Sequence, residues 1–189
     1  MRAAKRALRD RILAARERRD LLDHTASAGG FADGAYRAPE LQRATTVACY
    51  VAIGSEPGTG PLLERLRRDG KRVLLPVLKA DNDLDWAEYD GPESLGYGRF
   101  GLMEPTGPRL GVDAIAEADA VLVPGLAVSE RGFRLGRGGG SYDRALARVP
   151  ADAFTAVIVN PEEVGAAVPV EPHDRPVRAA VTVNALHRY

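Results

Sequence analysis

The chain has 189 residues, of which 45% are hydrophobic and 28% charged, and its formal net charge at neutral pH is zero. This length suits one domain with a full core, and the balanced charge argues against a general nucleic-acid-binding protein. No apolar run reaches the ~20 residues of a membrane-spanning helix, and the charged N-terminal stretch lacks the apolar core of a secretory signal. We therefore expect one cytoplasmic, monomeric domain over residues 1–189, without nucleic-acid or membrane partners.

Helical and extended segments alternate along the chain. Leu8, Ile12 and Ala15 recur at helical spacing in an Ala- and Arg-rich stretch, which predicts a first helix over residues 2–19. Residues 21–39 are interrupted by glycines, and only part of this stretch is expected to be helical. Further helices are predicted at residues 61–69, 112–118 and 142–148. Strands are predicted at residues 45–53, 72–77, 84–89, 120–123, 155–159 and 179–183.

This alternation predicts βαβ units, hence an α/β fold with a largely parallel sheet and helices on both faces. The strand at 84–89 alternates apolar and polar residues, so we expect it near an edge. Residues 91–111 are rich in Gly and Pro and are expected to be loop. Cys49, inside the strand at 45–53, is expected to pack rather than react. Ligands of such sheets bind at the strand carboxyl ends, where residues 54–60, 124–142 and 160–164 follow strands.

The segment at residues 121–144 carries the strongest functional pattern. A buried strand leads into a loop with five glycines, which is followed by a helix beginning with Ser141, Tyr142 and Asp143. Glycines let backbone amides approach an anion closely, and a helix N-terminus adds further unpaired donors. Arg131, Arg134 and Arg137 place guanidinium groups around the same backbone. We interpret this as a phosphate-binding loop, although it matches neither the P-loop nor the dinucleotide fingerprint. The alternative is a flexible surface turn.

Two further pairs of residues are candidates for ligand contacts. Lys5 and Arg9 are one helical turn apart and share a face of the first helix. They form either a solvated basic face or a pair that reaches a triphosphate. Glu56 and Thr59 follow the first predicted strand and are a weak signal for a polar ligand.

Two acidic positions are candidates for magnesium. Asp143 lies in the first turn of the predicted helix after the glycine loop, where it either complements the helix dipole or holds a hydrated magnesium ion. His173 and Asp174 lie in a proline-rich loop before the last strand. Asp174 forms either a turn or a metal or water contact. No Cys/His set has the spacing of zinc ligands.

Taken together, these motifs resemble those of the 5-formyltetrahydrofolate cyclo-ligase (methenyltetrahydrofolate synthetase) family, in the family's order and over nearly the whole chain. They are Lys5-Arg6-Ala7-Leu8-Arg9, Glu56-Pro57-Gly58-Thr59, Glu104-Pro105, the stretch Val123-Pro124-Gly125-Leu126-Ala127 followed by the glycine signature at residues 132–144, and His173-Asp174. The glycine signature is long and specific, whereas each of the others is weak alone.

The resemblance implies a fold similar to the sugar-phosphate isomerase and CoA-transferase scaffold. It also implies ATP-dependent, magnesium-dependent cyclisation of 5-formyltetrahydrofolate, with or without a polyglutamate tail. The catalytic residues implied are Lys5, Arg134, Arg137 and Tyr142. ATP binding is implied for Lys5, Arg6, Ala7, Leu8, Arg9, Arg134, Leu135, Gly136, Arg137, Gly138, Gly139, Gly140, Ser141 and Tyr142. Folate binding is implied for Arg9, Val51, Glu56, Arg137, Gly138, Gly139, Gly140 and Ser141. Magnesium binding is implied for Asp143 and Asp174.

The chain departs from the family pattern at three positions. Ser141 replaces the first signature tyrosine, which removes a ring contact, while Tyr142 and Asp143 are retained. Val128 stands where the family often has Asp. Arg178 occupies a position where many members carry an acid, so no metal role is transferred to it.

Two other kinds of protein remain as alternatives. A sugar-phosphate isomerase or CoA transferase on a related scaffold would use the glycine loop without needing ATP, because fold alone does not determine function. A non-catalytic nucleotide- or folate-binding protein would bind its ligand without turnover.

Overall fold

The computed structural model of the chain describes residues 2–19 and 21–189. The α-helices within them are α1 (Arg2–Glu17), α2 (Leu21–Ala35), α3 (Pro39–Arg43), α4 (Gly60–Arg68) and α5 (Ser141–Leu146). The strands are β1 (Thr46–Ala48), β2 (Arg72–Leu78), β3 (Leu84–Glu88), β4 (Leu95–Tyr97), β5 (Met103–Pro105), β6 (Ala120–Pro124), β7 (Ala127–Val128), β8 (Arg134–Leu135), β9 (Phe154–Ile158), β10 (Ala179–Thr182) and β11 (Ala185–Arg188). None of these helices is long and apolar enough to cross a bilayer.

Seven of the described strands form one twisted sheet in the order β11-β10-β9-β6-β1-β2-β3. The five inner strands are parallel to one another, whereas the edge strands β3 and β11 are antiparallel to β2 and β10. The predicted α/β fold with a largely parallel sheet is therefore confirmed, and so is the edge position of the strand near residue 84. Short connections to helices on either face produce this arrangement.

The two faces of the sheet are buried against two separate apolar clusters. Side chains alternate along a strand, so Val47 enters one cluster and Ala48 the other, and Leu75 and Leu74 do the same on β2. The first cluster includes buried residues of α2, α3 and α4, and the second includes those of α5 and of the 3-10 helix Val112–Glu117. The runs of apolar residues in the sequence are explained by burial on both faces.

Helix α1 is attached through a third, smaller cluster. Its Ile12 packs with Leu126, Ala127, Leu135 and Val168, next to the segment that follows β6. Leu8 and Ile12 of the predicted apolar stripe thus pack beside the segment that follows β6. Ala15 is exposed, and Arg16 takes the next buried position of the helix, so the stripe is shorter than predicted.

The predicted end of the first strand is wrong because a loop side chain competes for the backbone hydrogen bonds. Strand β1 ends at Ala48 instead of continuing to residue 53, since the Thr59 hydroxyl donates to the Tyr50 carbonyl at 2.7 Å and accepts from the Ala52 amide at 3.0 Å. Cys49 therefore lies just beyond the strand. It is buried, and burial raises the pKa of its thiol to about 12, as expected for a packing residue.

The sequence pattern did not predict three short pairings between strands. The predicted loop at 91–111 contains the antiparallel pair β4–β5, and the glycine-rich segment contains the pair β7–β8. Strand β11 extends the sheet after β10. The predicted helix at 112–118 is a 3-10 helix. Strands of two to four residues carry too few side chains for an alternating pattern to be visible.

Two glycines of α2 provide a test of its packing. A Cβ added at Gly34 would meet the Thr182 carbonyl oxygen at 2.1 Å, whereas a Cβ at Gly29 meets nothing within 4 Å. We expect Gly34→Ala to lower the free energy of unfolding by about 2–3 kcal/mol through overpacking against backbone. Gly29→Ala should raise it by about 0.5–1 kcal/mol through helix propensity. Urea denaturation of both variants measures the difference, and equal effects would contradict the packing described.

Candidate functional site

A cavity of about 770 Å³ lies at the carboxyl ends of the parallel strands. Its wall comes from α1, the segment after β1, the end of β2, strand β5, the glycine loop and the loop before β10. This is the edge at which ligands of such sheets bind, and the volume suits a small molecule. Of the three segments predicted to contribute, the first two supply lining residues, whereas residues 160–164 do not line the cavity, so that part of the prediction is wrong.

The glycine loop forms one side of this cavity. Residues 136–140 all line it, and within the described part of the chain their five amides donate no hydrogen bond to protein. Gly138 and Gly140 have φ values of 106° and 70°, which disfavour any residue with a side chain. Consecutive free amides of this kind bind anions. Since α5 is only six residues long, the loop amides rather than the helix dipole supply the main attraction.

Lys5 is a buried cation that also lines the cavity. Its Nζ lies 2.7 Å from Asp174 Oδ2 and 2.8 Å from Glu171 Oε2. Burial by itself lowers the pKa of Lys5, but the hydrogen bonds to Asp174 and Glu171 outweigh it, so the pKa is raised and the ammonium stays charged. The interpretation of Lys5 as part of a solvated basic face is therefore wrong.

Arg9 and Arg134 approach the glycine loop from two sides. Arg9 Nε donates to the Gly136 carbonyl at 2.7 Å, and the Arg9 guanidinium lies against Gly138. Arg134 is buried, with Nη1 lying 3.0 Å from Asp143 Oδ1, and its Nε makes no hydrogen bond within the described residues. Two guanidinium groups are thus held beside the free amides, where a phosphate would lie.

Arg137 and Glu56 form an ion pair at another part of the wall. Arg137 Nε lies 3.1 Å from Glu56 Oε1, and the other carboxylate oxygen accepts from the Ile53 amide at 3.1 Å. Glu56 is buried, and this burial raises the pKa of its carboxyl despite the amide and the guanidinium, both of which lower it. Glu56 is therefore a buried carboxylate that presents oxygens to the cavity.

Tyr142 completes the wall between the glycine loop and Glu56. Burial, followed by the negative charge of Glu56, raises the pKa of its phenol well above the ordinary value. The hydroxyl is neutral at physiological pH and therefore acts as a hydrogen-bonding group or a packing surface, not as a base.

The residues predicted to hold magnesium both line the cavity. Asp143 and Asp174 offer carboxylate oxygens, which are the ligands that Mg²⁺ prefers, so the donor set fits that ion. Glu171 and His173 also place ligand atoms within 4.8 Å of those of Asp174. Hydrogen bonds from Lys5 outweigh burial and keep the pKa of Asp174 below its usual range, so this carboxyl is ionised.

The structure brings together most of the predicted site. Arg6, Val51, Leu135 and Ser141 also line the cavity, as does Glu104, whose carboxylate accepts from the Leu78 amide at 2.9 Å. Four other residues singled out in the sequence do not line it. They are Ala7, Leu8, Thr59 and Arg131. Leu8 packs with the third cluster, Thr59 holds the loop after β1, and Arg131 lines a different, smaller cavity.

Sequence reasoning missed several residues of the wall. Glu171 is the most important of them, because it shares Lys5 with Asp174. Its only signal in the sequence is an acid three residues before Asp174, a common turn arrangement. Asn82 and Met103, which come from neighbouring loops and strands, carried no signal at all.

Comparison with known proteins agrees with this geometry. The sequence profile described as the 5-formyltetrahydrofolate cyclo-ligase family matches residues 1–183. A 5-formyltetrahydrofolate cyclo-ligase of Mycolicibacterium smegmatis is 46% identical over 134 residues, which cover 68% of this chain and 69% of the relative. The NMR structure of Aquifex aeolicus 5,10-methenyltetrahydrofolate synthetase has a TM-score of 0.82 at 29% identity, over 97% of this chain and 92% of that chain.

A 5,10-methenyltetrahydrofolate synthetase of Mycoplasma pneumoniae, at 19% identity, shares the fold with a TM-score of 0.73, over 94% of this chain and 97% of that chain. The profile match extends over almost the whole sequence and includes both the glycine loop and the helix that carries Lys5. The chain is therefore an enzyme of the 5-formyltetrahydrofolate cyclo-ligase family.

Proposed function

We propose that this enzyme converts 5-formyltetrahydrofolate to 5,10-methenyltetrahydrofolate, with conversion of ATP to ADP and phosphate. The observation that carries the proposal is the row of five free amides at residues 136–140, which lines the same cavity as buried Lys5. Such an arrangement supports binding and transfer of a phosphoryl group. We further propose that the protein acts as a cytoplasmic monomer and accepts folates with or without a polyglutamate tail.

The chemistry explains why a phosphate site lies beside a folate site. A formamide oxygen is a poor leaving group, so the γ-phosphoryl is transferred to it and ADP leaves. The folate N10 then adds to the formyl carbon, the carbon–oxygen bond breaks with release of phosphate, and N10 loses its proton. The enzyme's task in this scheme is to position the two substrates and to stabilise negative charge.

The phosphate end of the site is assigned to the cations and the loop. Lys5, Arg9, Arg134 and Arg137 offset phosphate charge, while the amides of residues 136–140 hold the transferring group. The carboxylates of Asp143 and Asp174 would hold Mg²⁺, which neutralises charge on the phosphate oxygens when bound.

The folate end is assigned to Glu56 and its neighbours. A buried carboxylate accepts hydrogen bonds from the aminopyrimidinone edge of a pterin, and its burial makes those bonds strong. Val51 and Tyr142 supply apolar surface beside it. We assign Arg9, which contacts the loop, and Arg137, which belongs to it, to both substrates.

A single assay tests the proposed reaction. The purified protein is mixed with 5-formyltetrahydrofolate, Mg²⁺ and ATP, and the methenyl product is followed by its absorbance. We expect product only when ATP is present. A folded protein that forms no product contradicts the proposal, and binding of ATP or folate without turnover points to a non-catalytic relative. Turnover of a sugar phosphate or a CoA ester in the absence of ATP supports the other alternative.

Glu56→Gln tests the folate end of the site. We expect kcat/KM for the folate to fall about 100-fold, because a charge-assisted hydrogen bond is worth roughly 1.5–3 kcal/mol. Nucleotide binding should change less, because it is affected only through Arg137, the ionic partner of Glu56. Because its pKa is raised, Glu56 protonates at a higher pH than an exposed glutamate as the pH falls. The parent enzyme should therefore lose folate kcat/KM on the acid side, with an apparent pKa above that of an ordinary glutamate.

The acid limb of that pH profile should be absent in Glu56→Gln. Glu56 takes up its proton more readily in the folded than in the unfolded chain. Its protonation therefore raises the free energy of unfolding as the pH falls through this pKa, so the loss of rate is not caused by unfolding. Glu130→Gln, at an exposed position in the loop between β7 and β8, is the matched control and should keep both the rate and the limb. An unchanged profile in Glu56→Gln would remove Glu56 from the folate site.

A further inference from the structure

A buried ion pair lies at the end of α1 opposite Lys5. Arg16 and Glu163 are 2% and 5% exposed, and neither was singled out in the sequence. Arg16 Nε lies 2.7 Å from Glu163 Oε1, and Arg16 Nη2 lies 2.7 Å from Glu163 Oε2. This two-point contact matches the planar fork of a guanidinium to a carboxylate and fixes its direction as well as its distance.

Both partners are also bound to the backbone at the carboxyl ends of β6 and β9. Arg16 Nη2 donates to the Gly125 carbonyl at 2.8 Å, directly after β6. Glu163 accepts from the Asn160 amide at 2.8 Å and from the Asn160 side chain at 3.1 Å, just after β9. The ion pair therefore joins α1 to two adjacent strands in the middle of the sheet.

Stability alone is a poor explanation for this pair. Two buried charges lose their hydration, and well-packed apolar residues of similar size usually stabilise a fold at least as well. What a buried forked pair provides is a defined orientation, since each hydrogen bond restricts the angle of the helix that carries it. The small apolar cluster around Ile12 supplies contact area but no such direction.

Orientation matters because Lys5 lies far along the same helix. Eleven residues separate Lys5 from Arg16, which corresponds to about 16 Å along the axis. A tilt of about 5° at Arg16 would displace the backbone at Lys5 by about 1.4 Å. A displacement near 1 Å at a catalytic group can cost about 100-fold in rate.

We propose that the Arg16–Glu163 pair positions α1 so that Lys5 reaches its place between Asp174 and Glu171 and faces the nucleotide phosphates. Arg16 and Glu163 are positioning residues that act through Lys5. The nucleotide part of this inference rests on the proposed function, whereas the placement of Lys5 does not.

The placement of Lys5 is measured directly by chemical labelling of amines. The chain has three lysines, Lys5, Lys71 and Lys79, so the last two serve as internal references. The nucleotide-free protein is treated with an acylating reagent near neutral pH, and each lysine is quantified by mass spectrometry. In Glu163→Gln and Arg16→Lys we expect Lys5 to be modified at least about tenfold faster, because the hydrogen bonds that protect it would be misaligned.

A neighbouring ion pair supplies the matched control. Arg19 and Glu162 lie three residues and one residue away from the buried partners, are joined at 3.3 Å, and are 36% and 61% exposed. Arg19→Lys and Glu162→Gln should leave the labelling of Lys5 unchanged. Where a single replacement does not fold, the double variant Arg16→Met with Glu163→Met leaves no unpaired buried charge and should still expose Lys5.

Steady-state kinetics separate positioning from a general loss of structure. In folded Glu163→Gln we expect KM for ATP to rise about tenfold or more, and clearly more than KM for the folate, which α1 contacts only through Arg9. The proposal would be overturned if Lys5 stayed protected from labelling and the ATP kinetics were unchanged. It would also be overturned if KM for ATP and KM for the folate rose by the same factor. Absence of ATP binding by the parent protein would instead contradict the proposed function, and the labelling result would still decide the placement of Lys5.

Discussion

Replacing Lys5 by Met is expected to lower kcat/KM for ATP by about 10³-fold, in the range found when a cation that stabilises a transferring phosphoryl group is removed. The ammonium is buried, keeps its proton, and lines the same cavity as the free amides of the glycine loop. A methionine fills similar space but offers no charge. The measurement is the rate of methenyl formation as a function of ATP concentration, alongside thermal unfolding to establish that the variant folds.

Arg11 provides a control on the same helix. It is exposed and does not line the cavity, so Arg11→Met removes one positive charge from α1 without touching the site. We expect its kinetics to match those of the parent enzyme. Equal losses in the two variants would mean that the overall charge of the helix, and not the placement of Lys5, governs nucleotide use.

Asp143→Asn is expected to lower kcat by about 10²–10³-fold and to weaken the apparent affinity for Mg²⁺. Asparagine keeps the shape of the side chain but loses the negative charge that a magnesium ion needs. The same change leaves buried Arg134 without its ionic partner, which lies 3.0 Å away in the parent protein. Initial rates over a range of Mg²⁺ concentrations, at fixed ATP and folate, measure both effects.

Asp113→Asn is the corresponding control. Asp113 also lies in the first turn of a short helix, but it is exposed and outside the cavity. Its replacement should change neither the rate nor the magnesium dependence. Full activity of Asp143→Asn with an unaltered Mg²⁺ titration would remove Asp143 from the metal site and leave only its contact with Arg134.

The sequence predicted those parts of the site that lie on one continuous segment. The glycine loop was recognisable because the strand before it, the glycines and the helix after it are adjacent in the chain. Lys5 and Arg9 were recognisable as a pair because helical spacing places them on one face. The parallel sheet was predictable because each apolar run that forms one of its strands is also a continuous segment of the chain.

Contacts between distant segments were not predictable in this way. Glu171 meets Lys5 across 166 residues, and Glu163 meets Arg16 across 147 residues. Nothing local distinguishes these acids from solvated ones, because their burial depends on how α1 packs beside the sheet. The early end of β1 has a similar cause, since the side chain of Thr59 takes over hydrogen bonds that a longer strand would have made.

Three cations of the cavity are paired with carboxylates before any ligand binds. Lys5 is paired with Asp174, Arg134 with Asp143 and Arg137 with Glu56. These three groups present little uncompensated positive charge to an approaching anion, and we expect their contribution to its association rate to depend only weakly on ionic strength. The site distinguishes between ligands once they are in contact with it. Each cation that turns to a phosphate leaves behind a carboxylate that needs a new positive partner. A ligand that brings its own divalent cation satisfies both groups, whereas a bare anion satisfies only one.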